Sequence, residues 1–286
     1  MSSATERNAT ELNGADPGAV QLPAAYGHFT AMQVRDGRVR GLGHHLERLT
    51  TSTRRLFGSE LDADLVRGYV RRLVAGRGAL SVRVLVFSRS GEDDAAMTPE
   101  VLVRTGPPHE HVADPIRLRS VRYRRDLPDV KHTGTFGLIY HSRQAVLAGY
   151  DDALFIDHSG HISEASIWNV GFLDGTTVVW PEAAVLPGIT YLVLREQLAA
   201  AGIRQVTRRV HPRELPGFDA VFLTNSETFG RPVASVDGVA LRSSPAAVWM
   251  LSEVYETAPW DESDLRSQRC VNLGDLRLRN ASTPSA

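Results

Sequence analysis

The sequence predicts an α+β protein built from two domains with a binding cleft between them. Strand-like and helix-like segments alternate up to residue 125, and a second set begins near residue 130, after a proline-containing boundary. We expect a small α/β domain at residues 23–125, a linker at 126–129 and a large domain at 130–275. Residues 1–22 and 276–286 are polar and lack apolar periodicity, so we expect flexible tails there.

The small domain opens with a hairpin signal. Asp36-Gly37 joins two strand-like runs within residues 29–42, and this dipeptide favours a tight turn. Leucines at helical spacing then predict a helix over residues 43–58. A second helix is predicted at residues 62–75, and strands at residues 79–89, 100–104 and 115–125.

The large domain continues with helices and short strands separated by glycine turns. Ser159-Gly160 and Asp174-Gly175 predict two turns between strands. A helix is expected to begin near Ile189, after a proline-glycine pair, and to end at Gly202. The remaining predicted elements are a helix at residues 138–149, a strand at 219–226 and a helix at 243–258.

The composition describes a globular protein of a reducing compartment. With 42% hydrophobic residues, 23% charged residues and a net charge of -1, the chain lacks the basic excess that nucleic-acid binding usually needs. No apolar run approaches the ~20 residues of a membrane span, and the N-terminus has no signal-peptide core. The single cysteine, Cys270, excludes an internal disulfide. We therefore expect a cytoplasmic protein that binds neither nucleic acid nor membranes.

The chain contains one lysine, Lys131, in "DLPDVKHTGTFG", although lysine and arginine together number 32. Arginine can replace lysine in a surface charge or a salt bridge. It cannot replace a nucleophilic amine, because guanidinium stays protonated and forms no Schiff base. A single retained lysine beside a domain boundary therefore indicates covalent amine chemistry.

Four other segments are compatible with a pyridoxal phosphate site around Lys131. This cofactor needs a lysine, a cradle for a dianionic phosphate and a partner for its pyridine nitrogen. "LPGIT" opens a helix whose first amides can hold phosphate, and Gly188 there lets the backbone approach a ligand closely. "VFLTNS" ends a buried strand in hydroxyl and amide groups, Arg48 supplies a cation, and Glu164 supplies a carboxylate.

In this order, these motifs resemble the class IV aminotransferases, the fold-type IV family of pyridoxal phosphate enzymes. The family includes branched-chain and D-amino-acid aminotransferases, (R)-selective amine transaminases and aminodeoxychorismate lyase. The resemblance covers about residues 27–236. It is carried by the blocks "GHFTAMQVRDGRVRGLGHHLERL", "VKH", "AGYDDALFIDHSGHISEASIWNV", "LPGIT" and "VFLTNS".

The resemblance implies a role for each matched residue. Lys131 would form the Schiff base with pyridoxal 5'-phosphate, Glu164 would pair with the pyridine nitrogen, and Arg48 would bind the phosphate. The implied reaction moves an amino group between an amino acid or amine donor and a 2-keto acid acceptor, in a homodimer. The other phosphate-binding residues would be Ile189, Thr190 and Thr224.

We expect Phe29, Thr30, Phe136 and Asn225 to line the substrate pocket. Many aminotransferases have an aromatic residue followed by Glu at the position of Phe29-Thr30, and branched-chain enzymes have a Tyr at the position of Phe136. Arg83 and Arg89 are candidates for binding a substrate carboxylate. The substrate stays open among D-amino acids, branched-chain L-amino acids and (R)-amines.

Three alternatives compete with transamination. The Phe29-Thr30 and Lys131-His132 pairs are similar to those of aminodeoxychorismate lyase, so β-elimination with release of pyruvate is one. A catalytically silent relative that binds a metabolite is a second. A metal hydrolase is a third, but neighbouring loop residues present no common coordination face, so we expect no metal site. The candidate metal ligands are His109, Glu110, His111, His161 and Glu164.

Overall fold

Two β-sheets form the framework of the chain, so the predicted α+β class is confirmed. A computed structural model describes residues 10–12, 26–88, 97–112, 114–242 and 245–261. Most of the first predicted tail, all of the second, and Arg89 lie outside the described residues. Within the first tail, Thr10–Leu12 form strand β1, so the tail prediction is wrong for these residues because they pair with another strand.

The first sheet contains four antiparallel strands. They are β1, β2 (Gly27–Val34), β3 (Leu80–Phe87) and β4 (Glu100–Gly106), in the order β1-β4-β3-β2. Two helices, α1 (Leu42–Phe57) and α2 (Ala63–Val74), cover one face of this sheet. The core between sheet and helices is almost entirely aliphatic, because alternate residues of each strand point toward the helices.

The other face of the first sheet borders the cleft. Along β2, Met32 and Val34 are buried under the helices, whereas Phe29 and Ala31 line the cleft on the opposite face. Successive strand residues point to opposite sides, so this alternation decides which of them can reach a ligand.

The turn of the predicted hairpin forms, but its second strand does not. Asp36 and Gly37 form the turn with positive φ angles of 50° and 72°, closed by two 3.0 Å hydrogen bonds between Arg35 and Arg38. The second strand of the hairpin does not form. Val39 instead forms an isolated bridge with Asp261, and helix α1 begins shortly afterwards at Leu42.

The second sheet has nine strands, six of which close into a ring. Its order is β10-β9-β8-β11-β12-β5-β6-β7, with β13 beside β12, and an additional pairing of β7 with β8 closes the ring. A buried apolar cluster that includes Trp168 and Phe172 fills the interior. The strands are β5 (Ile116–Arg122), β6 (Asp152–Ile156), β7 (Ile162–Ala165), β8 (Asn169–Asp174), β9 (Thr177–Pro181), β10 (Gln205–Arg208), β11 (Ala220–Thr224), β12 (Arg231–Val236) and β13 (Val239–Ala240).

Strand β5 corrects the predicted division of the chain. The sequence assigned it to the first unit, which was expected to end at residue 125. In the structure it lies between β12 and β6 and pairs parallel with both, so the first sheet ends before Ile116. The correction arises because strand partners are distant in sequence and leave no local signal.

Three further helices complete the fold: α3 (Phe136–Leu147), α4 (Ile189–Ala200) and α5 (Pro245–Glu256). Gly149 and Gly202 follow α3 and α4 with φ angles of 84° and 70°, the left-handed conformation that ends helices. Among the described residues, none of the helices combines the length and the hydropathy that crossing a bilayer requires.

Candidate active site

A cleft of about 900 Å³ lies between the two sheets. The first sheet contributes Phe29 and Arg83 to its wall, and the second contributes Glu164 and Thr224. Lys131 also lines it. A volume of this size accommodates a cofactor together with a small substrate.

Backbone pairing holds Lys131 at the junction of the two sheets. The Lys131 carbonyl accepts a 2.9 Å hydrogen bond from the Phe29 amide, and Thr133 donates one of the same length to the Gly27 carbonyl. The segment that carries the lysine is thus bonded to the beginning of β2. Lys131 Nζ lies 5.0 Å from the centre of the Phe29 ring.

The Lys131 amine is buried among charges, which makes its protonated form unfavourable. Burial is the main cause that lowers the pKa of Lys131 to about 7, and the Arg48 and Arg125 guanidinium groups act in the same direction. Glu164 opposes this shift. An amine with a pKa near neutrality can act both as a nucleophile and as a proton carrier.

Glu164 lies on β7, is 5% exposed, and faces the same site. Burial raises the pKa of Glu164 to about 7, although Arg125, the Leu186 amide and Lys131 oppose this shift. Its Oε2 accepts a 3.3 Å hydrogen bond from the Leu186 amide, and its Oε1 lies 4.0 Å from Arg125 Nε. Arg125 is therefore the cation that stabilises the ionised form of this carboxylate.

The beginning of α4 presents free backbone amides to the cleft. The helix has no side-chain cap and no acidic residue in its first turn, and Gly188 and Ile189 line the cleft. Uncapped amides at a helix N-terminus bind anions. Thr190, which the sequence assigned to the same site, is buried, its hydroxyl hydrogen-bonds Tyr255, and it is not among the described residues that line this cleft.

Gly188 is required for a reason that differs from the predicted one. The sequence suggested that a missing side chain lets a ligand approach. In the structure, a Cβ at Gly188 would overlap Asn169 Oδ1, which accepts a 3.1 Å hydrogen bond from the Gly188 amide. Asn169 Nδ2 donates a 2.7 Å hydrogen bond to the Leu186 carbonyl. Asn169 therefore fixes the loop that begins α4.

Thr224 is the last residue of β11, Asn225 comes directly after it, and both line the cleft. Thr224 is completely buried, and its hydroxyl has no hydrogen-bond partner. Asn225 Oδ1 accepts 2.9 Å hydrogen bonds from the amides of Glu227 and Thr228, so this side chain shapes a turn beside the cleft.

Two of the four expected pocket residues do not line the cleft. Phe29 and Asn225 do. Thr30 points to the opposite face of β2, where it is completely buried against α1, because neighbours in a strand face opposite sides. Phe136 is 79% exposed at the start of α3 and faces away.

Sequence reasoning missed Arg125, Asn169 and Arg104. Arg125 is one of 31 arginines, and Asn169 is an ordinary polar residue near the end of the motif "AGYDDALFIDHSGHISEASIWNV", so neither has a distinguishing local signal. Arg104 could have been found by alternation: it lies directly opposite Arg83 on the neighbouring strand, and both line the cleft.

Comparison with known proteins decides the family. The profile of the family described as amino-transferase class IV matches residues 27–236. The chain belongs to the class IV aminotransferases. The resemblance inferred from the sequence motifs is thus confirmed.

Relatives of this class IV chain include named aminotransferases. A probable branched-chain-amino-acid aminotransferase of Rickettsia felis is 28% identical over 129 residues, 43% of this chain and 44% of that protein. The chain thus matches less than half the length of this curated relative.

Solved structures share the fold of this class IV chain. The branched-chain aminotransferase of Thermoproteus uzoniensis superimposes with a TM-score of 0.78 at 21% identity, covering 86% of this chain and 93% of that one. A putative 4-amino-4-deoxychorismate lyase of Legionella pneumophila gives 0.71 at 24% identity, covering 80% and 91%. At these identities the likeness shows the fold and not the substrate.

The class IV site fits pyridoxal phosphate, the cofactor of fold-type IV aminotransferases. Other solved structures of this fold are described as bound to pyridoxal phosphate or pyridoxamine phosphate. In this chain, three buried side-chain atoms among the described residues lack a hydrogen-bond partner, and all three residues line the cleft. The atoms are Arg48 Nε, Arg125 Nε and Thr224 Oγ1. Arg48 Nε and Thr224 Oγ1 suit an added anion, whereas Arg125 Nε already lies 4.0 Å from the Glu164 carboxylate.

The candidate metal ligands are dispersed. His161 Nδ1 hydrogen-bonds Ser159 Oγ at 3.0 Å in an exposed turn, while Glu164 is buried in the cleft. Within the described ranges, no group of three or more His, Cys, Asp or Glu side chains could hold a metal ion.

Proposed function

We propose that the protein is a pyridoxal phosphate-dependent aminotransferase that moves an amino group between an amino acid or amine and a 2-keto acid. One observation carries the proposal: Lys131, the chain's single lysine, lines the cleft with a pKa near 7, together with Arg48 and Thr224, whose unpartnered donors suit a phosphate. When bound, the cofactor supplies an electron sink that stabilises negative charge on the substrate carbon next to nitrogen.

Lys131 would bond the cofactor's aldehyde carbon and, once released, carry a proton between two carbon atoms. A base performs such transfers best when its pKa lies near the working pH, and the pKa of Lys131 at about 7 meets this condition. Glu164 would hold a proton on the pyridine nitrogen. Its buried carboxylate, near Arg125, has the charge for that role.

The phosphate would bind where positive charge and free amides meet. Arg48 is half-buried in the wall of the cleft, and desolvation and then Arg125 lower the pKa of Arg48 to about 10, so it remains charged at neutral pH. The amides of Ile189 and Thr190 and the hydroxyl of Thr224 would complete the phosphate site.

Arg83 and Arg104 support recognition of a substrate carboxylate. They lie opposite each other on β3 and β4, and like charges in this position destabilise a sheet. Neither has an ion-pair partner among the described residues. The Arg83 guanidinium carbon also lies 4.8 Å from the centre of the Phe29 ring. Lys131 Nζ lies 5.0 Å from the centre of the same ring. An anionic substrate would relieve the repulsion between the two arginines.

The arginine pair yields a specific expectation. Arg104→Leu should raise the KM for an amino acid roughly 10-fold and leave the KM for an amine without a carboxylate unchanged. Steady-state kinetics with both donors measures this. A similar change for the two donors would contradict a role in carboxylate binding.

Transamination is better supported than elimination. The lyase alternative depended on Thr30 and His132. In the structure Thr30 is buried on the far face of β2, and His132 Nε2 donates a 2.9 Å hydrogen bond to the Asp126 carbonyl. Neither Thr30 nor His132 is among the described residues that line the cleft.

A homodimer is part of the proposal. Helix α3 exposes an apolar stripe of Phe136, Ile139, Tyr140, Val146 and Leu147, and Ile139 and Val146 also line the open cleft. A second copy bound to this stripe would cover apolar surface and close the cleft from the same side.

The decisive experiment tests the lysine. Purified protein supplied with pyridoxal phosphate should be yellow, and borohydride reduction should leave a cofactor adduct on Lys131 that mass spectrometry detects. Lys131→Ala should remove the adduct and slow the half-reaction with an amino donor by at least roughly 10²-fold. Retained turnover in Lys131→Ala would overturn the assignment, and an adduct without turnover of any donor would favour the silent relative.

A further inference from the structure

Arg48 is held by a buried polar chain that the reaction outlined above does not use. On the α1 face of β2, Thr30 Oγ1 is within hydrogen-bond distance of both Arg48 Nη2 and His45 Nδ1, the latter at 2.6 Å. Thr30 is 0% exposed and His45 3% exposed. Burying a polar group costs free energy unless it forms hydrogen bonds, so the three side chains of this polar network must keep a defined geometry.

The direction of each hydrogen bond follows from the chemistry of the groups. A guanidinium can only donate, so Thr30 Oγ1 accepts from Arg48. The hydroxyl oxygen could also accept a second hydrogen bond, but the buried Thr30 proton would then have no acceptor among the described residues. We therefore assign that proton to His45 Nδ1, which accepts it and carries no proton of its own. Burial, followed by the charges of Arg48, His44 and Lys131, keeps the pKa of His45 well below its usual range, which agrees with a neutral ring.

The hydrogen bond to Thr30 leaves one edge of the Arg48 guanidinium unused. Nη2 is engaged by Thr30, whereas Nε is buried without a hydrogen-bond partner, and Arg48 lines the cleft. Without Thr30, no hydrogen bond to a described residue would fix the orientation of the guanidinium. With Thr30 in place, the donor stays available for an anion.

We propose that Thr30 and His45 are positioning residues for the anion site: His45 orients the Thr30 hydroxyl, and Thr30 orients Arg48 toward the cofactor's phosphate. This inference rests on the proposed function, since it assigns the anion as the phosphate of that cofactor. It gives Thr30 a role on the hidden face of β2, in place of the substrate contact expected from the sequence.

The test compares two ligands that differ only in the phosphate. Dissociation constants of pyridoxal phosphate and of pyridoxal are measured by fluorescence titration of the apoprotein. Thr30→Val keeps the shape of the side chain and removes the acceptor, so it should weaken pyridoxal phosphate binding roughly 10-fold and change pyridoxal binding less than about 2-fold. Thr30→Ser retains a hydroxyl and should restore most of the difference.

Thr53→Val is the matched control. Thr53 is a buried threonine of α1 whose hydroxyl donates to the Leu49 carbonyl and bonds His28 Nε2 at 2.9 Å, without contacting Arg48. Its loss should lower the thermal midpoint of unfolding and leave the ratio of the two dissociation constants unchanged. A merely structural role for Thr30 would give the same pattern as this control and would overturn the proposal.

A second pair of variants makes the test independent of whether Thr30→Val folds. His45→Leu removes the acceptor for the Thr30 hydroxyl and should reproduce the phosphate-specific loss, whereas His45→Asn can place an oxygen near the Nδ1 position and should recover part of it. Equal losses for both ligands would overturn the inference. If the unaltered apoprotein binds pyridoxal phosphate no better than pyridoxal, the proposed function itself fails, which is a separate outcome.

Discussion

At the scale of single residues, the site depends on charges that burial makes reactive. Burial, Arg48 and Arg125 lower the pKa of Lys131 to about 7, and Glu164 acts against this shift. Burial raises the pKa of Glu164 to about 7. Burial disfavours the charged form of each, and each favours the charged form of the other. Both groups therefore change their protonation near neutral pH.

The lowered pKa of Lys131 implies a pH-dependent penalty on the stability of the apoprotein. The pKa of Lys131 is about 7 when folded and 10.5 in the ordinary state. Between these values the unfolded chain binds a proton that the folded chain does not, so stability rises with pH across this window; below about pH 7 the full penalty is present. Lys131→Met should therefore stabilise the apoprotein at pH 6, on the order of a few kcal/mol, and by much less at pH 10.

Urea unfolding of the apoprotein at the two pH values measures this effect. Arg204→Met, which removes an exposed cation, is the control and should show no such pH dependence. A gain for Lys131→Met that is the same at both pH values would contradict the assigned cause.

At the scale of elements, the proposed anion site depends on the contact between a strand and the start of a helix. Asn169 at the beginning of β8 bonds both Leu186 and Gly188, so it sets the position of the first amides of α4. The helix dipole and free amides act on a ligand only when this loop is held in register with the strand.

Gly188→Ala tests this contact. The added Cβ would overlap Asn169 Oδ1, so the loop must shift and the first amides of α4 move with it. We expect the dissociation constant for pyridoxal phosphate to rise at least roughly 10-fold, as for the loss of a charge-assisted hydrogen bond. Gly217→Ala, where a Cβ would meet no atom within 4 Å, is the control. Unchanged affinity in Gly188→Ala would show that the contact does not govern the anion site.

At the scale of the whole molecule, the cleft exists because one chain segment belongs to both units. Residues 131–133 pair with the beginning of β2, while the chain immediately afterwards enters α3 beside the second sheet. On the side of α1, Asp261 accepts a 2.5 Å hydrogen bond from the Leu42 amide, and Arg40 bonds the Ala258 carbonyl at 3.3 Å. These hydrogen bonds join the segment after α5 to the residues at the beginning of α1.

The apolar stripe of α3 predicts self-association. Leu147 is 68% exposed and does not line the cleft, so Leu147→Asp should weaken a dimer without altering the site. Light scattering after size exclusion should show a dimer for the unaltered chain and a shift toward monomer for the variant. Gln144→Asp, an exposed polar position on the same helix, is the control. A monomer in both cases would contradict the proposed interface.

Several features could be read locally because they depend on neighbours in sequence. The turn at Asp36-Gly37, the helix start near Ile189 and the glycines that end α3 and α4 follow from backbone preferences that act over a few residues. Thr30 could also have been excluded from the pocket, since alternation along β2 places it opposite Phe29.

By itself, the sequence determined the α+β class, the family and the amine on which the proposed chemistry depends, because chemical type and short-range spacing are written in the order of residues. Only the tertiary structure decided that β5 joins the second sheet, that Asn169 requires Gly188, and that Arg125 lies beside Glu164. These are contacts between distant segments. Their free energies arise when packing removes water and brings charges together, and no local pattern records that event.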